Sequence, residues 1–452
     1  MQFNRLIYSV FALLQISYAI DLDITSTDSV CNAASLVIDG VLDYYLGTRY
    51  GGTVGMFQEP YYWWESGGAF GSMIDFWYFC QNDTFEDLIY EGLIAQKGSN
   101  NDYIPANQST TEGNDDQGFW GLAVMEATER NFTNPPSDQA GWLALTQAVF
   151  NTMWARWDTQ YCGGGLRWQI FTWNSGYSYK NTVSSACLFA IGARLGRYTA
   201  NDTYIEVANT VFEWLEDIEF IVESNGAYSV YDGAQISSNC SEITTIEWSY
   251  NFALLLSGSA YAYNYTEESI WLERTNALVS GASIFFQNNI MYERACQGSG
   301  TCNNDERSFK AYLARSLGQT AVLVPSTYDT IYPWIEASAQ AAASTCNGGS
   351  DGHTCVLNWQ NSSATKEYGL GEQMSALEIF QNLLINERPA PYTDEAGGSS
   401  TGDASAGISS SSDSSTLSGE DLNITSKDKA GSGVLTAVIL ALLTGGTIWM
   451  VV

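Results

Sequence analysis

Helical periodicity dominates the pattern of apolar and polar positions along the chain. Apolar residues recur every three or four positions in twelve stretches, and this spacing predicts helices. The stretches are 32–47, 63–81, 84–98, 114–131, 139–157, 181–197, 202–221, 246–264, 267–286, 305–324, 327–344 and 369–386. Alternation typical of strands is confined to 164–172 and 226–236. Because the sequence shows no solenoid-type repeat, the pattern favours an all-α fold, an (α/α)6 barrel of six helical hairpins.

The starts of alternate helices carry the side chains that a sugar-binding groove needs. Alternate helices of such a barrel form its inner ring, and we assign the even-numbered helices to that ring. Their first turns combine aromatic rings, which pack on the C–H faces of sugars, with polar groups that bond sugar hydroxyls. These residues are Trp63 to Glu65, Asp115 and Asp116, Tyr179 to Asn181, Glu247 to Asn251, Arg307 to Lys310, and Glu367, Tyr368 and Glu372. The chain has 15 Trp and 27 Tyr, more than a core of this size requires.

The adjacent aspartates Asp115 and Asp116 are the leading candidates for catalysis. Asn114 is a favourable N-cap and Gln117 follows three residues later, so a capping box is predicted with both aspartates in the first helical turn. The helix N-terminus favours one ionised carboxylate, whose charge raises the pKa of its neighbour. One ionised and one protonated carboxyl side by side are the apparatus of glycoside hydrolysis. Because an aspartate pair alone is more often a helix cap, the assignment depends on the rest of the chain.

Composition argues against several other kinds of function. The 452-residue chain has 18 Lys and Arg against 50 Asp and Glu, a net charge of −32. Nucleic acid is therefore not expected as a partner, because phosphates require a basic surface. The single histidine, His353, lies in a Gly- and Cys-rich loop and is expected to be a surface residue. The sequence has no Asp-rich calcium loop and too few histidines for a usual zinc site, so no metal or other cofactor is predicted.

Both ends of the chain have the features of processing signals. Residues 1–19 combine Arg5, an apolar run and a small-residue cleavage site, as in a secretory signal peptide. The apolar residues 433–452 follow a polar, small-residue stretch, which is the layout of a GPI-anchor signal removed on maturation. A tail-end transmembrane helix is the alternative. Residues 20–388 are predicted to form the catalytic domain and the Ser- and Gly-rich residues 389–432 a flexible stalk, so the domain is expected outside the cell.

Cysteines and glycosylation sequons agree with secretion. Nine cysteines in an oxidising compartment are expected mostly to pair. The spacing allows short loops closed by Cys296 with Cys302 and by Cys346 with Cys355, and the odd count leaves a free thiol or an intermolecular bond. Eight sequons predict N-glycosylation, at Asn82, Asn107, Asn131, Asn201, Asn239, Asn264, Asn361 and Asn423.

Five ordered motifs between residues 61 and 251 are long enough to be specific. They are Tyr61 to Gly71, Gly113 to Gly121, Cys162 to Gln169, Asn174 to Thr182 and Trp248 to Asn251. Together with the signals at both ends, these motifs resemble the fungal Dfg5/Dcw1 group of glycoside hydrolase family 76, the mannan endo-1,6-α-mannosidases. After about residue 265 the resemblance lies mainly in the helical pattern.

The resemblance implies an (α/α)6 barrel, retaining hydrolysis of α-1,6-linked mannan, and a role in cell wall biogenesis at the outer face of the plasma membrane. Asp115 would be the nucleophile and Asp116 the general acid/base. Neighbouring residues in a first helical turn can place two carboxyls the 5–5.5 Å apart that retention needs. The substrate-binding residues expected are Trp64, Glu65, Trp120, Trp168, Gln169, Tyr177, Tyr179, Asn181, Trp248, Tyr250 and Asn251.

Two other functions remain open at this point. A transglycosidase would process the mannose of the GPI-core glycan and transfer it to wall glucan, with a sugar hydroxyl in place of water as the acceptor. A non-catalytic mannan-binding surface protein would retain the aromatic groove and lose the acid, and the intact Asp115 and Asp116 argue against it.

Overall fold

In the part of the chain that the structure describes, twelve α-helices alternate between an inner and an outer ring. The computed structural model describes residues 19–361 and 367–408. Its α-helices are α1 (Thr27–Leu42), α2 (Trp63–Cys80), α3 (Glu86–Gln96), α4 (Asn114–Glu129), α5 (Trp142–Ala155), α6 (Thr182–Thr199), α7 (Asp202–Asp217), α8 (Ser249–Thr266), α9 (Ser269–Ala282), α10 (Phe309–Leu323), α11 (Tyr328–Thr345) and α12 (Leu370–Gln381). The even-numbered helices contact one another in chain order and α12 closes on α2, while odd-numbered helices pack outside them. The predicted (α/α)6 barrel is confirmed, and each of the twelve helices overlaps a predicted one.

Burial separates the two rings as their sequences suggest. The inner helix α2 buries 16 of its 18 residues, whereas the outer helix α7 buries only a stripe of 8 among its 16. A helix that is apolar all round belongs inside, and an amphipathic helix covers it. Close approach within the inner ring requires glycine at Gly68, where a Cβ would lie 2.1 Å from the Tyr312 hydroxyl.

Short strands organise the loops between the helices. They are β1 (Tyr179–Asn181), β2 (Ile221–Ser224), β3 (Ala227–Val230), β4 (Gly233–Gln235), β5 (Ile243–Thr244), β6 (Phe286–Gln287) and β7 (Ile290–Met291). An antiparallel sheet has the order β1-β4-β5, with Tyr179 opposite Gln235 and Gly233 opposite Thr244. The other strands form the hairpins β2-β3 and β6-β7.

One strand prediction is correct and the other is wrong. The pattern at 226–236 corresponds to β3 and β4. The segment 164–172 forms no strand and makes only isolated bridges, Arg167 with Lys180 and Gln169 with Gly113. These single bridges tie it to β1 on one side and to the start of α4 on the other, so it has no continuous partner strand with which to form a ladder.

A largely buried ion network crosses the barrel between the middle and the C-terminal ends of the inner helices. Its members are Asp75, Glu126, Glu129, Arg130, Arg194, Arg315 and Glu378. Asp75 accepts from Arg130 at 3.1 Å and from Arg315 at 2.9 Å, and Glu126 pairs with Arg130 at 2.9 Å and Arg194 at 2.6 Å. Burial raises the pKa of Glu126, but the surrounding arginines outweigh it and lower the value to about 2. The network joins helices from opposite sides of the ring.

The segment 389–408, which we call the C-terminal strap, is part of the folded unit. Ser400 Oγ accepts from the Leu143 backbone at 3.0 Å, and the Asp403 amide donates to Gln147 at 2.7 Å. Asn151 then donates to the Ala406 carbonyl at 2.8 Å. The stalk prediction is therefore wrong for these residues, because their backbone groups find partners along α5 that low-complexity composition does not reveal. The strap extends the domain beyond the predicted end at residue 388.

Shortening the protein at residue 388 is expected to destabilise it. A protein comprising residues 20–388 should lose about 1–3 kcal/mol of unfolding free energy relative to residues 20–408, since each strap hydrogen bond contributes about 0.5–1.5 kcal/mol net and ordering entropy offsets part of the sum. Urea denaturation followed by tryptophan fluorescence measures the difference. Equal midpoints for the two proteins would mean that the strap contacts contribute nothing.

Four disulfides are formed among the described residues. They join Cys31 to Cys80, Cys162 to Cys240, Cys296 to Cys302 and Cys346 to Cys355, and Cys187 is free and buried. The two predicted short loop closures are confirmed. The odd cysteine is a free thiol, which is one of the two outcomes that the odd count allowed.

Several predictions lie partly or wholly outside the described residues. They concern residues 1–18 of the signal peptide, residues 409–432 of the stalk, the anchor signal 433–452, and Asn423. Within residues 19–361 and 367–408, no helix combines the length and apolar character needed to span a bilayer.

Candidate active site

A cavity of about 600 Å³ opens at the N-terminal ends of the inner helices. Aromatic, carboxyl, amide and hydroxyl side chains line it: Tyr62, Trp63, Trp64, Gln108, Thr110, Thr111, Glu112, Asp115, Asp116, Phe119, Trp168, Gln169, Asn174, Ser175, Tyr179, Asn181, Asp232, Trp248, Tyr250, Asn303, Asp305, Glu306 and Phe309. Not one of these lining residues, all in the described part of the chain, is Lys, Arg or His. The cavity therefore suits a neutral or cationic ligand with apolar faces and many hydroxyls.

Helix α4 presents Asp115 and Asp116 to this cavity. The helix is capped by Gly113, not by Asn114 as predicted, and Asp116 accepts from the Gly113 amide. Gly113 fits because a Cβ there would lie 2.2 Å from Asp115 Oδ1. The Asp115 Oδ1 atom accepts from the Asp116 amide at 3.0 Å. One oxygen of each carboxyl is thus held by a backbone amide.

The two residues of the predicted capping box, Asn114 and Gln117, form hydrogen bonds with other parts of the chain. Asn114 Nδ2 donates to the Arg167 carbonyl at 2.8 Å and its Oδ1 accepts from Arg156 at 2.7 Å. Gln117 Nε2 donates to the Asp102 carbonyl at 2.7 Å and to Thr152 at 2.8 Å. These contacts fix the first turn of α4 to its surroundings and so orient the aspartates. The capping-box prediction is wrong because tertiary partners outcompete the local bond.

The local environment separates the acidities of the two aspartates. Burial raises the pKa of Asp115 to about 7, with the Asp305 charge adding to the increase and backbone amides opposing it. Burial also raises the pKa of Asp116, and the charge of Asp115 raises it further, well above the usual range. Asp115 is therefore the carboxyl that ionises first and Asp116 the one that keeps its proton. The pair itself predicts one carboxyl of each kind, and this order is the one that suits the roles implied by the resemblance.

A third carboxyl, Asp305, faces the pair. Its Oδ1 accepts from the Trp64 indole at 2.9 Å. Burial raises its pKa, and its charge raises the pKa of both catalytic candidates. Asp305 lies in the loop before α10. Because α10 is opposite α4 in the inner ring, Asp305 reaches the cavity from the side opposite the aspartate pair.

Replacing Asp305 with asparagine is expected to shift the pH dependence of turnover toward acid. In the wild type, kcat/KM should rise with pH as Asp115 loses its proton at about 7 and fall at higher pH as Asp116 loses its own. Removing the Asp305 charge stabilises both carboxylates, which lowers both pKa values and moves both limbs to lower pH. Profiles of Asp305→Asn and of the exposed control Glu242→Gln test this, and an unmoved profile in Asp305→Asn would contradict it.

Stacked rings form one wall of the cavity. Tyr250 and Phe309 lie parallel with centroids 3.8 Å apart, and Phe119 continues the stack at 6.3 Å from Tyr250. Phe119 also packs against Trp64 at 4.7 Å. The rings come from the first turns of α2, α8 and α10 and from the second turn of α4, so closure of the helical ring assembles the wall.

Trp168 covers the pair from the loop side. Its carbonyl accepts from the Asn114 amide at 2.8 Å, and its own amide donates to the Tyr179 carbonyl at 2.7 Å. Gly176, with a positive φ of 97°, packs so closely that a Cβ there would lie 2.3 Å from the Trp168 ring. The indole is thereby positioned beside Asp115, whose pKa it helps to lower.

Seven of the eleven predicted substrate-binding residues line the cavity: Trp64, Trp168, Gln169, Tyr179, Asn181, Trp248 and Tyr250. Asn181 also caps α6 by accepting from the Ser184 amide at 3.2 Å. Tyr179 donates to Asp232, another lining carboxyl, at 2.7 Å. The side-chain amide of Gln169 lies 3.1 Å from the carbonyl oxygens of Thr111 and Glu112.

Four predicted substrate-binding residues lie outside the cavity wall. Glu65 is buried and caps α2 by accepting from the Tyr62 amide at 2.8 Å, and burial raises its pKa to about 8. Trp120 is fully buried between Trp63 and Tyr103, with centroids 5.3 Å from each. Tyr177 packs under Arg167 at 4.4 Å, and Asn251 is fully buried. Glu65 and Asn251 lie in first turns, and because first-turn residues point around the whole helix, helix position alone cannot assign them to a cavity.

Several lining residues have no counterpart in the prediction. Glu112, Asp232 and Asn303 lie in loops, where hydrophobic periodicity carries no signal. Asp305 begins the predicted helical stretch 305–324, but it lies in the loop before α10. Asn174 belongs to one of the recognised motifs, which offered the one available clue. Trp63 was among the first-turn groove residues predicted for α2, and it lines the cavity. Conversely, Arg307 and Glu372 were among the first-turn residues predicted for the groove. They pair with each other and do not line the cavity.

The glycosylation asparagines that the structure describes are accessible or nearly so. Asn107, Asn131, Asn201, Asn239, Asn264 and Asn361 are exposed and Asn82 is half-buried. Glycan attachment at these sites stays a prediction.

Potential metal ligands are brought together at one place in the described ranges. They are Cys296, Cys302 and Glu306. The two cysteines are joined in a disulfide, so their sulfur atoms are not thiolate ligands.

Comparisons with known proteins agree with this geometry. The profile of glycosyl hydrolase family 76 matches residues 29–395. The mannan endo-1,6-alpha-mannosidase DFG5 of Saccharomyces cerevisiae is 57% identical over 445 residues, covering 98% of this chain and 96% of that protein. The crystal structure of Dfg5 from Chaetomium thermophilum in complex with glucosamine is 39% identical, with a TM-score of 0.82, over 86% of this chain and 98% of that one.

The fold also extends to a structure of much lower sequence identity. The GH76A alpha-1,6-mannanase of Salegentibacter sp. HEL1_6 has a TM-score of 0.63 at 16% identity, over 78% of this chain and 98% of that one. The barrel, the paired aspartates and these similarities together place the chain in glycosyl hydrolase family 76, among the fungal Dfg5/Dcw1 glycoside hydrolases.

Proposed function

We propose that the protein is an endo-acting, retaining α-1,6-mannosidase that acts on mannan in fungal cell wall biogenesis. The observation that carries the proposal is the pairing of Asp115 and Asp116 in one helical turn at the cavity, with acidities set apart by burial and mutual charge. The name of the yeast relative, 57% identical over nearly the whole chain, supports the linkage.

In the proposed mechanism, Asp115 attacks as the carboxylate and Asp116 acts first as an acid. Asp115 forms a bond to the anomeric carbon while Asp116 donates its proton to the departing glycosidic oxygen, and the C–O bond breaks. A covalent mannosyl-enzyme and an ionised Asp116 remain. Asp116 then removes a proton from water, the oxygen attacks the anomeric carbon, and Asp115 is released with the configuration retained.

Transglycosylation is the second candidate function, because the acidic lining of the cavity suits a glycan that carries an amino sugar. Glu112, Asp115, Asp116, Asp232, Asp305 and Glu306 line it without any cationic side chain, an arrangement that suits a glycan carrying an unacetylated amino sugar. The Chaetomium relative was crystallised in complex with glucosamine. The donor would then be a GPI-core glycan, and a hydroxyl of wall glucan would replace water in the second step.

The deciding experiment uses residues 20–408, an α-1,6-mannooligosaccharide and a β-glucan oligosaccharide as acceptor, with products followed by mass spectrometry. Shortened mannosides that disappear in Asp115→Asn and Asp116→Asn support the hydrolase. Hybrid mannose–glucan products support the transglycosidase. Tight binding of mannan without any product would favour the non-catalytic mannan-binding protein and overturn both.

We further propose a GPI-anchored location at the outer face of the plasma membrane, associated with the cell wall. It is supported by the apolar residues 433–452 after a small-residue stretch and by the leader-like residues 1–19. Phosphatidylinositol-specific phospholipase C should release the protein from membranes. Release only by detergent would instead indicate a transmembrane tail.

A further inference from the structure

A solvent-exposed indole, that of Trp173, borders the cavity without lining it. Trp173 is 59% exposed. The next two residues of the chain, Asn174 and Ser175, line the cavity. Consecutive Cα atoms lie about 3.8 Å apart, so the backbone of Trp173 lies next to the rim of the cavity.

The ring is held in place from two sides. It stacks on the buried Phe171 with centroids 5.0 Å apart and planes inclined by 22°. Its Nε1 donates to the Ser109 carbonyl at 3.0 Å. Ser109 lies between Gln108 and Thr110, both of which line the cavity. The indole therefore bridges two segments of the rim.

In this arrangement one face of the Trp173 ring is free, and the indole N–H already has a hydrogen-bond acceptor. Phe171 covers one face, and within the described part of the chain no second ring stacks on the other. Because the N–H is already bonded, a ligand would contact Trp173 through the ring face. The C–H face of a pyranose is complementary to such a surface, and a ring already fixed in place loses little conformational entropy on binding.

Trp168 provides a second aromatic surface five residues earlier. It lies in the cavity beside Asp115, whereas Trp173 lies beyond Asn174 at the rim. The two indoles are joined by residues 169–172, of which Gln169 lines the cavity. A glycan chain that leaves the cavity on this side would pass from one indole to the other.

We propose that Trp173 is a distal subsite that stacks on a neutral hexose of the same glycan chain whose cleavage site occupies the cavity. The enzyme would then favour glycans long enough to reach beyond the rim. This inference rests on the proposed glycan-cleaving function and adds a length preference to it.

The test compares Trp173→Ala with wild type on α-1,6-mannohexaose and α-1,6-mannotriose. The ratio of kcat/KM between the hexaose and the triose should fall about tenfold, the size expected for loss of one aromatic stacking contact. Trp173→Phe should restore most of the ratio, because it retains a ring face. Tyr50→Ala, which removes an exposed aromatic residue outside the cavity wall, should leave the ratio at its wild-type value.

An unchanged ratio in Trp173→Ala would overturn the subsite. A binding measurement separates this failure from failure of the proposed function. With the Asp115→Asn/Asp116→Asn protein as background, calorimetry should show weaker hexaose binding when Trp173→Ala is added. If wild type cleaves no mannoside, the mannosidase assignment fails, while weaker binding would still support the subsite and equal binding would refute it.

Discussion

Asp115→Asn is expected to lower kcat on α-1,6-mannooligosaccharides by about 10⁴-fold or more, the scale seen when a catalytic nucleophile is removed. Asp116→Asn should cost about 10²–10⁴-fold, as for loss of general acid catalysis. Asparagine preserves the side-chain volume and the contacts with the backbone amides of Gly113 and Asp116. The losses therefore report chemistry rather than folding. Asp28→Asn is the matched control, because Asp28 also lies in the first turn of a helix and is exposed.

Azide distinguishes the roles of the two residues. With an aryl α-mannoside that has a good leaving group, Asp116→Ala should still form the mannosyl-enzyme, and azide should release it as the α-mannosyl azide. In Asp115→Ala, azide should attack the anomeric carbon directly and give the β-mannosyl azide. The anomeric configuration is read by NMR. The opposite pairing of variant and product would exchange the assigned roles.

Arg315→Met is expected to lower the free energy of unfolding by about 3–5 kcal/mol, the cost of leaving buried charges unpaired. Arg315 donates to Asp75 at 2.9 Å and pairs with Glu378, and both carboxyls are fully buried. Burial and neighbouring carboxylates already raise the pKa of Asp75, which the arginines oppose. Removing Arg315 thus leaves buried negative charge without its partner where α2, α10 and α12 meet. Urea denaturation followed by tryptophan fluorescence measures the loss.

Two further variants keep this prediction decisive. Arg294→Met removes an arginine that is 51% exposed and pairs with Glu247 at 3.0 Å, so it should cost at most about 1 kcal/mol. Adding Glu378→Gln to Arg315→Met removes one stranded charge and should recover part of the stability. If Arg315→Met were no more harmful than Arg294→Met, the network would not be stabilising the barrel.

The helices were predictable because their signal is local. Each of the twelve periodic stretches overlaps an observed helix, and the even-numbered ones form the inner ring as assigned. Errors arose where a nonlocal partner replaced a local one. Asn114 has the chemistry of an N-cap, yet it bonds Arg167 and Arg156 across loops and leaves the cap to Gly113. The strap at 389–408 reads as low complexity, yet its backbone bonds α5.

The candidate site was predictable to the extent that it is built from helix starts. Asp115, Asp116, Trp64 and Tyr250 lie in first turns of inner helices, which ring closure brings to one end of the barrel. Glu65 and Asn251 share that position but point into protein, since successive residues project about 100° apart around a helix. Asp305 lies in a loop and joins the site only through the fold.

By itself, the sequence determined the twelve helices, the two-ring arrangement, the paired carboxyls and the family, because periodicity and long motifs are properties of neighbouring residues. Only the tertiary structure decided which first-turn side chains face the cavity and that Asp305 faces the aspartate pair. It also decided that Trp173 is fixed at the rim and that the chain to residue 408 belongs to the domain. These features depend on helix rotation and on loops meeting from distant parts of the chain, and neither leaves a pattern in the order of the residues.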